Sequence, residues 1–292
     1  MTTFVQLLVN GLGKGAVYAL LALGFVIIYK STEVVNFAHG ALVLVGGYVV
    51  VLVQPHAGWY AGAALGIAAA GLGALALERL LISRARLADP NSLALMTIGI
   101  DVIITEEIIR RLGVDIPFLG QPYDAKPIQV GDITFFRTQL VALVLGAVLI
   151  TAFYLAFKFS GWGIAMRAQA ENKEAAALMG IRSSRVTATA WLVAGALAGV
   201  AAIFIATQDF SGTGLSRSTH SLALAAFPAA ILGGLDSTLG AIVGALLVGV
   251  TEAMSAQYIS FDFSKSAVFI VMLVVLVVRP SGLFGTRELN RV

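Results

Sequence analysis

Near its start the chain reads Phe4-Val-Gln-Leu-Leu-Val-Asn-Gly-Leu-Gly-Lys-Gly-Ala-Val-Tyr-Ala-Leu-Leu-Ala-Leu-Gly-Phe-Val-Ile-Ile-Tyr29, an apolar run whose only charge is Lys14. A helix that crosses a hydrocarbon core of about 30 Å needs about 20 such residues. The run is too long for the apolar region of a signal peptide, and no basic leader precedes it. We therefore expect a retained membrane-spanning helix.

The composition of the whole chain agrees with this expectation. Hydrophobic residues make up 59% of the 292 residues, and charged residues make up only 12%, which is about half the share in a soluble domain. A large soluble protein needs polar side chains over its outside, whereas a lipid-facing surface does not. The composition predicts an all-α fold, a polytopic integral membrane helical bundle.

Eight apolar segments are long enough to be membrane segments. The segment 221–256 is too long for one plain span and is interrupted by Gly233-Gly-Leu-Asp-Ser237, which predicts a broken or re-entrant element. We expect one transmembrane domain over residues 1–292, with an outer loop at 112–138. The eight segments lie at about 4–29, 33–53, 58–83, 91–111, 139–158, 187–207, 221–256 and 265–279.

Lysine and arginine in short loops indicate orientation, because cytoplasmic loops carry more of them. Twelve of the 19 fall on one side of the predicted spans and six on the other, with Lys14 inside a helix. This distribution predicts a multi-pass protein with its N-terminus outside and its C-terminus in the cytoplasm.

A charged segment separates two long apolar stretches: Arg167-Ala-Gln-Ala-Glu-Asn-Lys-Glu-Ala-Ala-Ala-Leu-Met-Gly-Ile181. Its composition favours an amphipathic helix, and Gly180 favours a helix end. A helix of this kind can dock into a groove on a water-soluble partner. We expect a cytoplasmic docking helix over residues 167–181.

Three polar features lie within the apolar segments. Asn36 and His39 flank Phe37 and stand three apart on one helical face, so they either line a substrate path or cap a helix beside a satisfied histidine. Asp101 lies mid-span with a threonine one turn away on each side, and this stripe either lines a path or bonds helices together. We take Lys14, Asn36, Phe37, His39 and Asp101 as the candidate substrate pathway.

Lys14 is the most unusual of these residues. It lies about 15 Å past Phe4 along a helix, near the bilayer midplane, where a charge is costly unless it is paired or faces water. It either meets a substrate carboxylate or pairs with an internal acid, for which the candidates are Asp101, Glu106, Glu78 and Glu252. A small shift of the helix start would also let it extend outward to the membrane surface.

Several classes of chemistry are excluded by the sequence. There is no Gly-x-x-x-x-Gly-Lys-Ser/Thr loop for nucleotide phosphates, no His-Glu-x-x-His and no Gly-x-Ser-x-Gly. The chain has no cysteine, and its three histidines are scattered. We expect no catalytic residue, no metal site, no cofactor in this chain and no nucleic-acid partner.

Five motifs spread over nearly the whole chain resemble the inner permease subunits of branched-chain amino acid ABC importers of the LIV type, and in particular the LivH-like of the two permeases. They are Asn10-Gly11 through Tyr18-Ala-Leu-Leu-Ala-Leu-Gly24, Val35-Asn-Phe-Ala-His-Gly40, Ala170-Glu-Asn-Lys-Glu-Ala-Ala-Ala-Leu-Met-Gly-Ile181, Phe227-Pro-Ala-Ala-Ile-Leu-Gly-Gly-Leu235 and Arg279-Pro-Ser-Gly-Leu-Phe-Gly285.

The resemblance implies a coupling helix that an ATPase subunit grips, marked by Glu-Ala-Ala, three residues and Gly. It also implies two ATP-binding cassette subunits that hold ATP and Mg²⁺, a second permease that is LivM-like or a second copy, and an extracytoplasmic substrate-binding protein. The lipid bilayer would be the bacterial cytoplasmic membrane. The coupling residues are Glu174, Ala175, Ala176, Leu178, Met179 and Gly180.

The function implied by the resemblance is ATP-driven alternating access that imports branched-chain amino acids or related small carboxylates or amides. One departure is Lys14, where family members more usually carry small or hydroxyl residues, and a lysine there favours a carboxylate-rich or aromatic acid. The alternative function is an ion-coupled secondary transporter of a small organic solute, with Asp101, Glu252 and Lys14 as coupling groups. Such a transporter has no need of a docking helix.

Overall fold

The apolar run at the start of the chain forms α1 (Thr2–Thr32) in the computed structural model, which describes residues 2–85, 89–114, 116–124, 126–130 and 133–285. Between Ala16 and Ile28 its side chains are almost all buried. The helices that surround α1 are α4 (Arg137–Phe159), α7 (Ser183–Ile205) and α11 (Thr238–Tyr258). A helix that is apolar on every side is buried in this way, so α1 is the central helix of the bundle.

Helices make up most of the rest of the described chain, and the prediction of an all-α membrane bundle is confirmed. Six of the described helical segments are long and apolar enough to cross a membrane: Thr3–Thr32, His39–Ile82, Arg137–Phe159, Ser183–Ile205, Thr238–Tyr258 and Phe261–Val278. The remaining elements are α2 (His39–Leu77, continued by a π-helical turn at Glu78–Ile82), α3 (Pro90–Leu112), α5 (Gly161–Glu171), α6 (Lys173–Leu178), α8 (Gln208–Ser211), α9 (Arg217–Leu224), α10 (Ala226–Gly233) and α12 (Phe261–Val278).

The strands that the structure describes form one small hairpin between α3 and α4. Strand β1 (Ile128–Val130) pairs antiparallel with β2 (Ile133–Phe135), and Ile128 stands opposite Phe135. The expected loop at 112–138 therefore contains a two-stranded hairpin.

The segment 39–82 is a helical hairpin with two arms. Gly58 has a φ of +82°, which breaks the helix because this backbone conformation is easily adopted only by glycine. A Cβ on Gly66 would lie 2.7 Å from the carbonyl oxygen of Gly46, so the two arms pack closely and antiparallel. These arms correspond to the predicted segments 33–53 and 58–83, except that the first arm begins only at His39, because residues 33–38 are not helical.

The predicted broken element at 221–256 is a second helical hairpin. The descending arm consists of α9 and α10, and the ascending arm is α11. The two arms are joined by a turn at 234–237, where Gly234 has a φ of +107°. A Cβ on Gly244 would lie 2.3 Å from the carbonyl oxygen of Ala229, so α10 and α11 are in backbone contact. The predicted interruption lies at the turn.

Hydrogen bonds define two opposite faces of the bundle. On the loop face, the Leu119 amide donates to the carbonyl of Ala206 (3.0 Å), and the Leu215 amide donates to the carbonyl of Pro117 (2.8 Å). On the α5–α6 face, Gln169 donates to the carbonyl of Ser31 (2.9 Å).

Within its described residues the chain passes between these faces nine times, whereas eight apolar segments were predicted. The additional pass arises because the predicted segment 221–256 contributes to two arms, α9 with α10 and α11. An odd number of passes puts the start of α1 and the segment 279–285 on opposite faces. The arms are α1, the two arms of α2, α3, α4, α7, α9 with α10, α11, and α12.

Candidate functional site

The segment 33–38, between α1 and α2, turns back into the bundle. Helix α1 continues to Thr32, yet a Cβ on Gly24 would lie 2.5 Å from the ring of His39, the first residue of α2. The eight residues from Gly24 to Thr32 correspond to about 12 Å of helix, so α2 begins inside the bundle, about that far from the level at which α1 ends. Glu33, with a φ of +60°, makes the reversal. Apart from the exposed Glu33, the segment is therefore irregular backbone that lies within the bundle.

Side chains of α3 satisfy the backbone of this re-entrant segment. The Phe37 amide donates to Thr97 Oγ1 (3.0 Å), and the Ala41 amide donates to Asp101 Oδ1 (3.2 Å). The Ala38 amide donates to the Asn36 side chain (3.1 Å). Buried backbone groups need such partners, since lipid offers none. Thr97 and Asp101 of the polar stripe thus bond α3 to the start of α2, and whether the stripe also lines a path stays a prediction.

His220 is the partner of Asp101 that sequence reasoning missed. Its Nε2 lies 2.9 Å from both carboxylate oxygens of Asp101, although the two residues are 119 positions apart. Each side chain is only 12% exposed. Because His220 belongs to α9, Asp101 joins the start of α2, α3 and the descending arm of the second hairpin. A mid-span acid needs a partner, and the three histidines were the signal that could have suggested this one.

The second interruption lies between α9 and α10, and it meets the first one. Phe227 follows the break, and its ring centroid is 5.4 Å from those of both Phe25 and Phe37. Phe25 in turn lies 4.6 Å from His39. Phe37 and Phe227 are partly exposed, whereas Phe25 and His39 are buried. The two interrupted helices thus share an aromatic cluster, defined by Phe25, Phe37, His39 and Phe227.

A polar group lies beside this aromatic cluster. Asn36 is fully buried, and its Nδ2 has no hydrogen-bond partner among the described residues. Of the five predicted pathway residues, the structure brings Asn36, Phe37, His39 and Asp101 together; their role in a substrate pathway stays a prediction. A buried amide donor without a partner among the described residues thus lies next to the apolar rings.

Lys14 is separate from this group, and its predicted midplane position is corrected. A Cβ on Gly13 would lie 3.1 Å from Gln139, which is the third residue of α4 at the loop face. Because α1 has 31 residues, it is about 46 Å long and overhangs a core of about 30 Å. Lys14 therefore lies near the level at which α4 begins, closer to the loop face than a count from Phe4 alone predicts.

Lys14 makes an internal ion pair, which is one of the alternatives that the sequence predicts. Its Nζ lies 3.1 Å from Glu252 Oε1, and the Tyr18 hydroxyl donates to Glu252 Oε2 at 2.7 Å. The Lys14 side chain is 25% exposed and that of Glu252 is 10% exposed. Among the acids considered, Glu252 is the partner.

The charged segment 167–181 contains two helices rather than the single predicted helix. Asn172 has an extended φ of −156°, and its side chain accepts from the Ala175 amide (2.9 Å) as the N-cap of α6. An asparagine at an N-cap starts a new helix. Gly180 has a φ of +84°, and the Ile181 amide donates to the carbonyl of Ala176, which together end α6 as predicted.

The predicted docking surface of α6, defined by Glu174, Ala175, Leu178 and Met179, points away from the bundle. Leu178 is 88% exposed and Met179 is 84% exposed. Ala176, at 4%, instead faces the bundle and holds α6 against it. Two large apolar side chains beside an acidic residue form a small unpartnered surface of the kind that protein partners cover.

Comparison with known proteins gives a full-length match. Residues 7–278 match a family model described as "Branched-chain amino acid transport system / permease component". The chain is 28% identical to "High-affinity branched-chain amino acid transport system permease protein LivH" of Escherichia coli K12, covering 99% of this chain and 98% of that protein. It is also 28% identical to the BraD permease protein of Pseudomonas aeruginosa, with the same coverage.

A more distant similarity links the chain to a solved structure. "PsaBC from Streptococcus pneumoniae in complex with Fab" aligns with a TM-score of 0.53 and 16% identity, covering 95% of this chain and 91% of that one. At this identity the likeness shows the fold alone.

Proposed function

The chain belongs to the family of branched-chain amino acid transport permeases and is LivH-like, and from that premise we propose that it is a permease subunit of an ABC importer. Its cargo would be branched-chain amino acids or related small carboxylates or amides. The match over residues 7–278 carries this proposal. Relatives that match over nearly their whole length are named as high-affinity permease proteins for these amino acids.

Energy would enter through the docking surface of α6. Two ATP-binding cassette subunits would bind ATP and Mg²⁺, and one of them would cover Leu178 and Met179. The exposure of these two side chains supports this, because the free energy of the system falls when a partner removes large apolar side chains from water. Gly180 supports it by ending the helix where the chain turns back to the membrane.

The α5–α6 face would be cytoplasmic and the loop face external, which puts the N-terminus outside. The support is the positive-inside rule, since Arg84, Lys158, Arg167 and Arg182 all belong to segments at the α5–α6 face. An extracytoplasmic binding protein would then deliver substrate to the loop face of a bacterial cytoplasmic-membrane complex. The second permease subunit would be a LivM-like chain or a second copy.

The substrate pathway would pass the aromatic cluster. Discontinuous helices that meet inside a membrane are the usual place for transporter substrate sites. Phe37 and Phe227 offer a partly exposed apolar surface for a branched aliphatic side chain. Asn36 Nδ2 is buried and has no hydrogen-bond partner among the described residues, and it would donate to a substrate carboxylate in a state of the transport cycle that opens the site. His39 and Asp101 would hold this geometry, His39 by ring contact and Asp101 by its bonds to α2 and α9.

Lys14 would act nearer the external opening. Its charge is balanced by Glu252, so it does not present an unpaired cation to a passing solute. This balance favours zwitterionic branched-chain amino acids over the carboxylate-rich acids that a lone lysine would suggest. Lys14 still keeps a quarter of its surface exposed, through which it can attract a substrate carboxylate.

The transport cycle would be alternating access. Nucleotide would bind one state of the paired ATPases more tightly than the other, and this differential binding would shift the permeases between outward-open and inward-open forms. In this chain, the mobile part would be the second hairpin, because α9 and α10 meet at a break.

The test is uptake of radiolabelled leucine into proteoliposomes that contain this chain and its partner subunits. We expect uptake to require both ATP and the nucleotide-binding subunits. We expect it to continue when the proton and sodium gradients are collapsed. Uptake that follows an ion gradient without ATP would instead establish the ion-coupled transporter. Competition by unlabelled valine, an aromatic acid and a small amide then ranks the substrates.

A further inference from the structure

Helix α5 is attached to the ends of two membrane helices. The Arg167 guanidinium donates to the carbonyl oxygens of Phe157 and Lys158, the latter at 3.1 Å, at the end of α4. Gln169 Nε2 donates to the carbonyl of Ser31 (2.9 Å) at the end of α1. These bonds satisfy carbonyls that a helix end leaves open. A displacement of α5 therefore acts directly on α1 and α4.

Two cations share the ring of Phe157. The Arg167 guanidinium lies 5.4 Å from the ring centroid, and Lys30 Nζ lies 5.8 Å from it. An aromatic ring attracts a cation at this distance, and Arg and Lys repel each other. The position of Lys30 thus depends on where Arg167 and Phe157 stand.

Lys30 also binds the turn of the second hairpin. Its Nζ donates to the carbonyl oxygen of Asp236 at 2.6 Å, across 206 positions of sequence. The hairpin is held independently by the segment after α12, since the Leu283 amide donates to the carbonyl of Leu232 (2.9 Å) and the Phe284 amide to that of Gly233 (3.0 Å). The turn therefore does not depend on Lys30 to fold.

We propose that Lys30 is a positioning residue that couples movement of the docking segment α5–α6 to the hairpin turn, through Arg167, the ring of Phe157 and the carbonyl of Asp236. The inference rests on the proposed function, because it requires an ATPase that moves α6. From Asp236, α10 leads back within one short helix to Phe227 in the aromatic cluster. One charge-assisted bond then links the docking segment to the substrate pathway.

This arrangement provides two discrete states. With Arg167 on the ring, Lys30 reaches Asp236 and holds the turn against α1. When α5 withdraws Arg167, the ring accommodates Lys30 alone, and the bond to Asp236 loosens. The turn, together with the segment 279–285 that is bonded to it, can then shift relative to α1 at the junction of α9 and α10. An ammonium on a four-carbon stem suits this role, because its donors rotate and its reach adjusts.

The experiment measures leucine uptake and ATP hydrolysis together in proteoliposomes of the complete transporter. For Lys30→Met we expect ATP hydrolysis within about twofold of wild type and uptake lower by about 5-fold or more, which is the lower range of coupling between linked sites. The ratio of leucine moved to ATP hydrolysed therefore falls. Lys30→Arg keeps a cationic donor, so we expect its ratio to lie between those of Lys30→Met and wild type.

Lys158→Met is the matched control. Lys158 lies at the same face and contacts the rings of Tyr154 and Phe159, while its backbone carbonyl still accepts from Arg167. We expect its ratio to equal that of wild type. Phe157→Leu is the second variant, because it keeps the Lys30 bond to Asp236 but removes the ring. The coupling role predicts a lower ratio for it, whereas a local role of Lys30 in holding the turn predicts no change.

The outcomes separate the two proposals. An unchanged ratio in Lys30→Met, or an equal fall in uptake and hydrolysis, overturns the coupling role and leaves the proposed function intact. If Lys30→Met does not assemble, the ratio in Phe157→Leu decides. ATP-independent uptake by the wild type would overturn the proposed function itself.

Discussion

Replacing Glu252 by glutamine, alone and together with Lys14→Met, tests whether the ion pair near the loop face stabilises the packing of α1 against α11. In the wild type, the Glu252 carboxylate accepts from Lys14 Nζ at 3.1 Å and from the Tyr18 hydroxyl at 2.7 Å. Glutamine still accepts from Tyr18, so Glu252→Gln removes mainly the charge. It leaves Lys14 as a partly buried cation with no acid.

The expected magnitude follows from the distance and the exposure. Two unit charges 3.1 Å apart attract by about 5 kcal/mol at an effective dielectric constant of about 20, before desolvation is subtracted. Exposed pairs retain about 0.2–1 kcal/mol, and breaking a buried pair costs about 3–5 kcal/mol. With Lys14 25% exposed, the pair lies between these limits, so we expect a coupling energy of about 1–3 kcal/mol.

The assay is unfolding of the four proteins in mixed micelles, which gives the free energy of unfolding of wild type, each single variant and the double variant. We expect the double variant to be less destabilised than the sum of the single variants. Glu107→Gln is the control, because Glu107 pairs with arginines at an exposed helix end, and we expect little change. If the losses of unfolding free energy in the two single variants sum to that of the double variant within about 0.5 kcal/mol, the ion pair does not stabilise the contact between α1 and α11.

The other predictions concern packing, the re-entrant segment and docking. Gly249→Ala should lower the free energy of unfolding by about 1–3 kcal/mol, because its Cβ would lie 2.4 Å from the carbonyl oxygen of Gly11; unfolding in mixed micelles measures this. Asp101→Leu should lower the free energy of unfolding by about 2–4 kcal/mol in the same assay, because it leaves His220 and a buried amide of α2 without an acceptor. Leu178→Ser should leave stability unchanged and reduce ATP-driven leucine uptake several-fold, because a docked partner would lose an apolar contact.

Matched substitutions show which result would contradict each of these. A Cβ added at Gly99 would meet no atom of the described residues within 4 Å, so Gly99→Ala should be neutral, and an equal loss in both glycine variants would contradict the packing argument. Asp101→Asn keeps one acceptor and should cost less than Asp101→Leu. Unchanged uptake in Leu178→Ser would remove that side chain from the docking surface.

Much of the fold follows from local signals. Apolar length marks the membrane helices, and small residues four apart mark close helix contacts: Gly11 and Gly15 pack on α11, while Gly195 and Gly199 pack on the arms of α2. The interruption near 233–237 is visible because glycines and a helix-capping serine lie together. The end of α6 at Gly180 is equally local.

Long-range features were not readable from one sequence. The pairing of Asp101 with His220 depends on where α9 lies relative to α3, and the depth of Lys14 depends on how far α1 overhangs its neighbours. The re-entrant course of 33–38 requires acceptors on α3 that only the folded chain supplies. The break at Asn172 was readable, since asparagine before a run of helix formers is an N-cap signal.

The docking of α6 on an ATPase is tested most directly by photo-crosslinking in native membranes from a photoreactive residue placed at position 179. We expect a nucleotide-dependent crosslink between this position and an ATP-binding subunit. With Met179→Cys, we expect the position to be protected from a membrane-impermeant thiol reagent added outside the cell. Labelling of this position from the external side, or crosslinks that never include a nucleotide-binding protein, would contradict the proposed docking.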